Sequence, residues 1–110
     1  MTAPAPSRVD EPSSPRADIL ERAGELLRAL AAPVRIAIVL QLRESQRCVH
    51  ELVDALDVPQ PLVSQHLRIL KAAGVVAGER SGREVMYRLV DDHLVEIVVA
   101  AVSHAGEEHA

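Results

Sequence analysis

Four residues near the C-terminus carry the types and spacing that could hold a metal. Asp91 and His93 are two apart, and His104 and Glu107 are three apart. The segment from 91 to 110 holds five acidic residues and three of the five histidines, with no lysine or arginine. Carboxylates and imidazoles without competing cations suit a divalent ion. His104 and Glu107 share a helix face, and Asp91 reads as a cap beside His93 at the helix start. The two pairs cannot serve one ion within a chain. At 1.5 Å per residue His93 and His104 stand about 16 Å apart, whereas zinc holds its ligands at about 2 Å. An antiparallel copy of the helix would set Asp91 and His93 of one chain against His104 and Glu107 of the other, giving two symmetry-related sites per dimer. An acidic, solvated helix with incidental histidines accounts for the same composition equally well.

A second constellation has the chemistry of nucleic-acid recognition. In PLVSQHLRILKAA, Leu62, Leu67 and Leu70 recur at helical spacing with Val63 and Ala73 beside them, while Gln60, Ser64, Arg68 and Lys71 line up on another face. Pro61 suits the first turn and Gly74 the position past the end. Upstream, Val49, Leu52, Val53 and Leu56 make a short amphipathic helix, and Asp57-Val58-Pro59 leaves room only for a tight turn. That is the grammar of a helix-turn-helix. Downstream, Val85, Tyr87 and Leu89 alternate with Met86, Arg88 and Val90 after a tip bearing Gly82 and Arg83, which predicts a β-hairpin wing. Residues 61 to 90 carry Arg68, Lys71, Arg80, Arg83 and Arg88 against Glu79 and Glu84, a net of +3, although the whole chain stands at −4. Neutralising phosphates takes local cations, since distant acids are screened beyond roughly 8 Å.

Cys48, His50 and Glu51 form a third group. At neighbouring helical positions they point in different directions, so a small half-buried cysteine and a solvated histidine are expected rather than a metal site. His66, inside the reading helix, is as well suited to packing or to the surface as to a phosphate or base.

These groups need elements to hold them. Residues 1 to 16, with four prolines among alanine and serine, read as a disordered tail. From Asp18, the apolar residues Ile19, Leu20, Ala23, Leu26, Leu27 and Leu30 predict a first helix ending near Ala31-Ala32. Pro33 opens a second, PVRIAIVLQLR, apolar nearly all round and therefore the buried centre. The C-terminal helix has an apolar stripe of Leu94, Ile97, Val98, Ala101, Val102 and Ala105, widened by Val95, Val99 and Ala100. That excess calls for a partner, most simply its own copy. The 110 residues suffice for one small core, and with Tyr87 as the sole aromatic the core must be aliphatic. The lack of Phe and Trp also removes the stacking platforms of single-strand binders. No apolar run reaches a membrane span, no secretory signal is evident, and a single cysteine makes no internal disulfide, so a cytoplasmic location is expected.

With these motifs in place, the chain resembles the ArsR/SmtB family of metal-sensing transcriptional repressors, and looks most like the SmtB-type zinc sensors. The resemblance runs from about Ile19 to Glu107. It rests on LLRALAAPVRIAIVLQL, on CVHELVDAL followed by PLVSQHLRILKAAGVV, on GERSGREVMYRL, and on the closing D-x-H and H-x-x-E. It implies a mainly α winged helix-turn-helix with a small β-hairpin: four helices, two strands, then a fifth helix. The unit would span 17 to 107 as a DNA-binding and dimerisation domain, leaving 108 to 110 as a tail. It further implies a homodimer that represses its operator without metal and releases it when Zn2+ binds, with Co2+ or Ni2+ as alternatives. The ligands map onto Asp91, His93, His104 and Glu107. Double-stranded DNA would meet Gln60, Ser64, Gln65, His66, Arg68 and Lys71 on the reading helix and Arg80 and Arg83 on the wing. In one respect the chain departs from its relatives: the Cys-x-Cys pair of the arsenic, cadmium and lead sensors is Cys48-Val49-His50 here, and the N-terminal segment offers no Cys or His to complete it. Thiophilic inducers are therefore not expected.

Two other readings follow from the same residues. One is a winged-helix regulator whose input is oxidation of Cys48 or a protein partner. The other is a hydrolytic enzyme, which four protein ligands argue against because a catalytic zinc keeps a position for water. Neither a membrane nor a small-molecule substrate is expected as a partner.

Overall fold

The computed structural model describes residues 15–107. Most of the expected N-terminal tail and all of residues 108–110 lie outside that range. Five helices and a hairpin follow in order: α1 Ala17–Leu30, α2 Pro33–Glu44, α3 Val49–Leu56, α4 Gln60–Ala72, β1 Val76–Ser81, β2 Glu84–Leu89 and α5 His93–Glu107. This is the mainly α winged helix-turn-helix that the motifs predict.

α2 starts on Pro33, where the missing N–H costs nothing, and buries Ile38, Val39 and Leu42. It touches every other helix and β2, so it is the axis of the domain. Around it close Leu52 of α3, the α4 residues Val63, Leu67 and Leu70, Val75 and Val76 at the start of the wing, and Val95 and Val98 of α5. α3 ends on Asp57, which adopts a left-handed conformation (φ 56°) and donates its N–H to the carbonyl of Val53. Pro59 then accepts from the N–H groups of Leu62 and Val63, and α4 begins. The reversal takes three residues.

α4 ends in a Schellman motif. Gly74, at φ 79°, donates to Lys71, and Val75 donates to Leu70 at 2.9 Å. Leu70 and Val75 are both fully buried, supplying the apolar contact that accompanies this ending. The helix axis and the departure of β1 are thereby fixed together. One expectation fails here: Leu62 does not share the packed face but is 44% exposed. Val63, Leu67 and Leu70 keep the i, i+4, i+7 spacing that one buried stripe allows, and Leu62 lies about 100° round from Val63.

β1 and β2 pair antiparallel from Val76 with Leu89 to Ser81 with Glu84, leaving Gly82-Arg83 as a two-residue loop. Gly82 at φ 67° occupies the first central position, where only a residue without a Cβ is unstrained. On its other edge β2 is stitched to the segment before α3: Arg47 donates to Tyr87 at 3.1 Å and Tyr87 to Arg47 at 2.8 Å. Beneath this, Gly78 faces Tyr87 across the ladder. A Cβ there would fall 2.9 Å from Cγ1 of Val85 and 3.0 Å from Cε1 of Tyr87. Gly78→Ala should therefore cost about 1–3 kcal/mol, the usual range for overpacking. Thermal or urea unfolding would measure it, and an unchanged midpoint would show that the Tyr87 ring yields freely.

Candidate nucleic-acid interface and metal centre

Gln60, Gln65, Arg68 and Lys71 are exposed on α4, and Ser64 is half-buried between them and the core. Counting about 100° per residue, Gln60, Ser64, Arg68 and Lys71 form one stripe flanking the buried face. Arg80 and Arg83 are exposed on the hairpin, with Arg88 on the strand behind. Among the described residues none of Arg68, Lys71, Arg80, Arg83 and Arg88 is held in an ion pair, so all five charges are available to an outside anion. Hydrogen-bonding side chains on a helix beside free cations on a wing suit a duplex, with a groove for the one and phosphates for the other.

His66 lies on the opposite flank of α4 from that stripe. Arg35, in the first turn of α2, donates through Nη1 to Nδ1 of His66 at 3.0 Å. Its Nε donates to the carbonyl of Ala29 at 2.6 Å, and Nη2 reaches the carbonyl of Arg28. A single guanidinium thus satisfies the open end of α1 and ties it to the reading helix, a role that no local sequence signal announces. Burial, and then the Arg35 charge, lower the pKa of His66 below its usual 6.5. The structure gives this residue a packing contact in place of an outward one.

At the start of α5, Asp91 behaves as a cap: its Oδ1 accepts from the N–H of His93 at 3.0 Å and from Leu94 at 3.4 Å. The same oxygen lies 3.6 Å from Nδ1 of His93, whose side chain is 87% exposed. His104 and Glu107 are exposed on the last turns of the same helix. Of the expected apolar stripe on α5, only Val95 and Val98 are buried, with Leu94 and Val99 half-buried. Ile97, Ala101, Val102 and Ala105 face outward, as do Ile19, Leu20 and Leu27 of α1. Between the two helices runs an apolar groove of about 300 Å³, bordered by Leu27, Leu30, Ile36, Ile97 and Ala101.

The third group is rearranged relative to expectation. Cys48 precedes α3 in extended backbone (φ −90°, ψ 175°) rather than lying on it, so its Sγ comes within 4.0 Å of Nδ1 of His50. Glu51 serves the helix start, its carboxylate accepting from the N–H of Cys48 at 2.9 Å. That bond holds the Glu51 carboxyl below the usual carboxylate range. The nearby carboxylate is Glu84 from β2, with Oε2 3.6 Å from Nδ1 of His50. Spacing could not reveal it, because 34 positions separate Glu84 from His50 and only the wing's fold brings them together. Burial raises the pKa of Cys48, with Glu84 adding to the rise, and the residue is 5% exposed. Oxidation-sensing thiols are exposed and acidic, so these surroundings weigh against oxidation of Cys48 as the input.

A family model described as "Bacterial regulatory protein, arsR family" matches residues 32–77, from the residue before α2 into β1. The HTH-type transcriptional repressor SmtB of Mycobacterium tuberculosis is 80% identical over 97 residues, which cover 88% of this chain and 72% of that protein. The chain belongs to the ArsR family. Solved ArsR-like folds agree with the architecture. The transcriptional repressor BigR from Xylella fastidiosa superposes with a TM-score of 0.69 at 32% identity, covering 82% of this chain and 95% of that one. A homodimeric winged helix-turn-helix DNA-binding domain from Mycobacterium bovis gives 0.73 at 26% identity, covering 90% and 91%. As an ArsR-family member the chain is a DNA-binding transcriptional repressor and not an enzyme. No helix among the described residues is long and apolar enough to cross a membrane.

The contact between Arg35 and His66 has a pH signature. A depressed pKa means that the unfolded chain takes up the proton first, so the stabilisation from neutral His66 is present above about pH 6.5 and lost as pH falls through the lower folded value. Between about pH 7 and about pH 5 the melting temperature should fall less steeply in His66→Gln than in the wild type. Parallel slopes would mean that neither burial nor the Arg35 charge disfavours protonation of this ring.

Proposed function

We propose that this repressor senses zinc: a metal-free homodimer holds operator DNA in the cytoplasm and lets go when Zn2+ bridges its C-terminal helices. The observation that carries the reading is on α5, whose two candidate ligand pairs flank an uncovered apolar face. Ile97, Ala101 and Val102 of α5 and Leu20 and Leu27 of α1 are exposed together, and exposed aliphatic side chains on neighbouring helices suit an interaction face. A second copy laid antiparallel would cover that face and bring Asp91 and His93 to the partner helix's second ligand pair. Residues 17–107 then act as one DNA-binding and dimerising unit.

The donor set fits the ion. Tetrahedral zinc with nitrogen and oxygen ligands at about 2.0–2.2 Å keeps those ligands roughly 3.4 Å apart, close to the 3.6 Å between Asp91 Oδ1 and His93 Nδ1. His93 and His104 would bind as neutral imidazoles, Asp91 and Glu107 as carboxylates. Cobalt and nickel suit the same donors. When bound, the ion supplies a cross-link between protomers. Everything else is done by the chain. Gln60, Ser64, Gln65, Arg68 and Lys71 enter or border the major groove, and Arg80 and Arg83 reach the backbone or minor groove, with His66 left to Arg35. The spacing of two such heads must match the operator's half-sites, so a seam that fixes their relative placement can favour a low-affinity arrangement. The ring nitrogen of His104 not used in ligation would carry this toward the core through a hydrogen bond.

Fluorescence anisotropy of labelled operator at fixed salt tests the reading. Zinc should weaken binding about 5- to 150-fold, the range of ordinary allosteric coupling, and DNA should weaken zinc binding by the same factor. His93→Ala with His104→Ala should hold DNA normally and ignore zinc. His104→Asp, which can ligate but lacks a second ring nitrogen, should bind zinc and keep hold of DNA. Zinc-independent binding by the wild type would overturn the proposal in favour of a non-metal signal.

A further inference from the structure

Outside the C-terminal helix, a second set of metal donors meets within one protomer. We infer that Cys48, His50 and Glu84 form a divalent-metal site joining the start of α3 to the wing, separate from the proposed ligands on α5. One donor atom from each, the Cys48 sulfur, a His50 ring nitrogen and a Glu84 carboxylate oxygen, lies within 4.8 Å of the other two. Sγ to Nδ1 is 4.0 Å and Nδ1 to Oε2 is 3.6 Å. Tetrahedral zinc spaces sulfur, nitrogen and oxygen ligands about 3.4–3.6 Å apart, so a movement of a few tenths of an ångström at these two pairs, and somewhat more between the sulfur and the carboxylate, closes the set.

Three features make this more than a chance meeting. Both sides are fixed by backbone: the Glu51 carboxylate holds the N–H of Cys48, and the two bonds between Arg47 and Tyr87 lay β2 alongside. The donors line a cleft of about 430 Å³ between α3, the first residue of α4 and β2, with room for an ion and its remaining solvent ligand. Cys48 is buried from one side, while His50 and Glu84 are 64% and 47% exposed, which leaves a path of entry. A thiolate with an imidazole and a carboxylate selects a borderline-soft ion of the zinc class over magnesium or calcium. On binding, the thiol gives its proton to solvent, the imidazole coordinates through Nδ1 as a neutral ring, and the carboxylate coordinates as an anion. Because Glu84 follows Arg83 directly, the loaded site anchors the wing tip to the helix-turn-helix.

Cobalt(II) as a probe separates this site from the one on α5, because only a thiolate ligand gives a sulfur-to-cobalt charge-transfer band. In the His93→Ala, His104→Ala background, titration with cobalt should raise that band to saturation at one equivalent per chain. Adding Cys48→Ser should abolish it. Adding His50→Ala or Glu84→Gln, both at exposed positions that leave the core intact, should weaken binding by more than the roughly tenfold loss typical of an outer-shell partner. Absence of the band in the background variant, or equal affinity in His50→Ala and Glu84→Gln, would overturn the inference. Release of DNA by zinc is read independently, so either metal proposal can fail while the other stands.

Discussion

The structure depends on a knot of branched aliphatic side chains around Ile38 and Val39, both fully buried in α2. With no phenylalanine or tryptophan available, no single large ring can fill the centre. Leu52, Val63, Leu67, Leu70 and Val75 must instead interlock, each brought in by a different turn or element. Close packing makes their positions interdependent. The exposed residues of α4 are therefore aimed by what lies beneath them, and the polar stripe of Gln60, Ser64, Arg68 and Lys71 is the outer side of the same constraint.

Charge is arranged with equal economy. The acidic excess that makes the chain negative overall is concentrated in its C-terminal segment, where residues 91 to 110 hold five acids and no lysine or arginine, while among the described residues the reading helix and wing keep cations outside any ion pair. Arg35 is a different kind of cation. Drawn inward by the carbonyls of Ala29 and Arg28, it serves the end of α1 and the ring of His66. Pro33, two residues before it, starts α2, so the geometry that begins one helix also sets the arginine that completes the previous one.

Much of this was legible from periodicity and punctuation. Pro33, Pro61 and Gly74 mark helix boundaries, the alternation through Val85, Tyr87 and Leu89 marks the wing, and the breadth of apolar surface on α5 pointed to a face that one core cannot use. Fine rotation was not legible. Leu62 and Ile97 have the hydropathy of core residues, yet on these helices, packed along one side, Val63 and Val98 take the inward positions beside them, whereas α2, surrounded by other elements, buries both Ile38 and Val39. Contacts across the fold were also hidden. Glu51 stood next to Cys48 and His50 in sequence and was the natural carboxylate to consider, but the helix start claims it, and Glu84 arrives only once β2 has paired. For the C-terminal pairs, spacing along one helix could be computed from the rise per residue, whereas the packing of a second chain against it is a property of two surfaces.

The two backbone bonds between Arg47 and Tyr87 give the hairpin a third, one-residue neighbour. A wing attached only at its base could flap, but this one is sewn along its outer edge to the stretch that launches α3. Modularity is lost as a result. A hairpin transplanted from another regulator would have to offer the same backbone edge at the position of Tyr87, or the graft would leave an amide and a carbonyl of the host unmatched beside the seam.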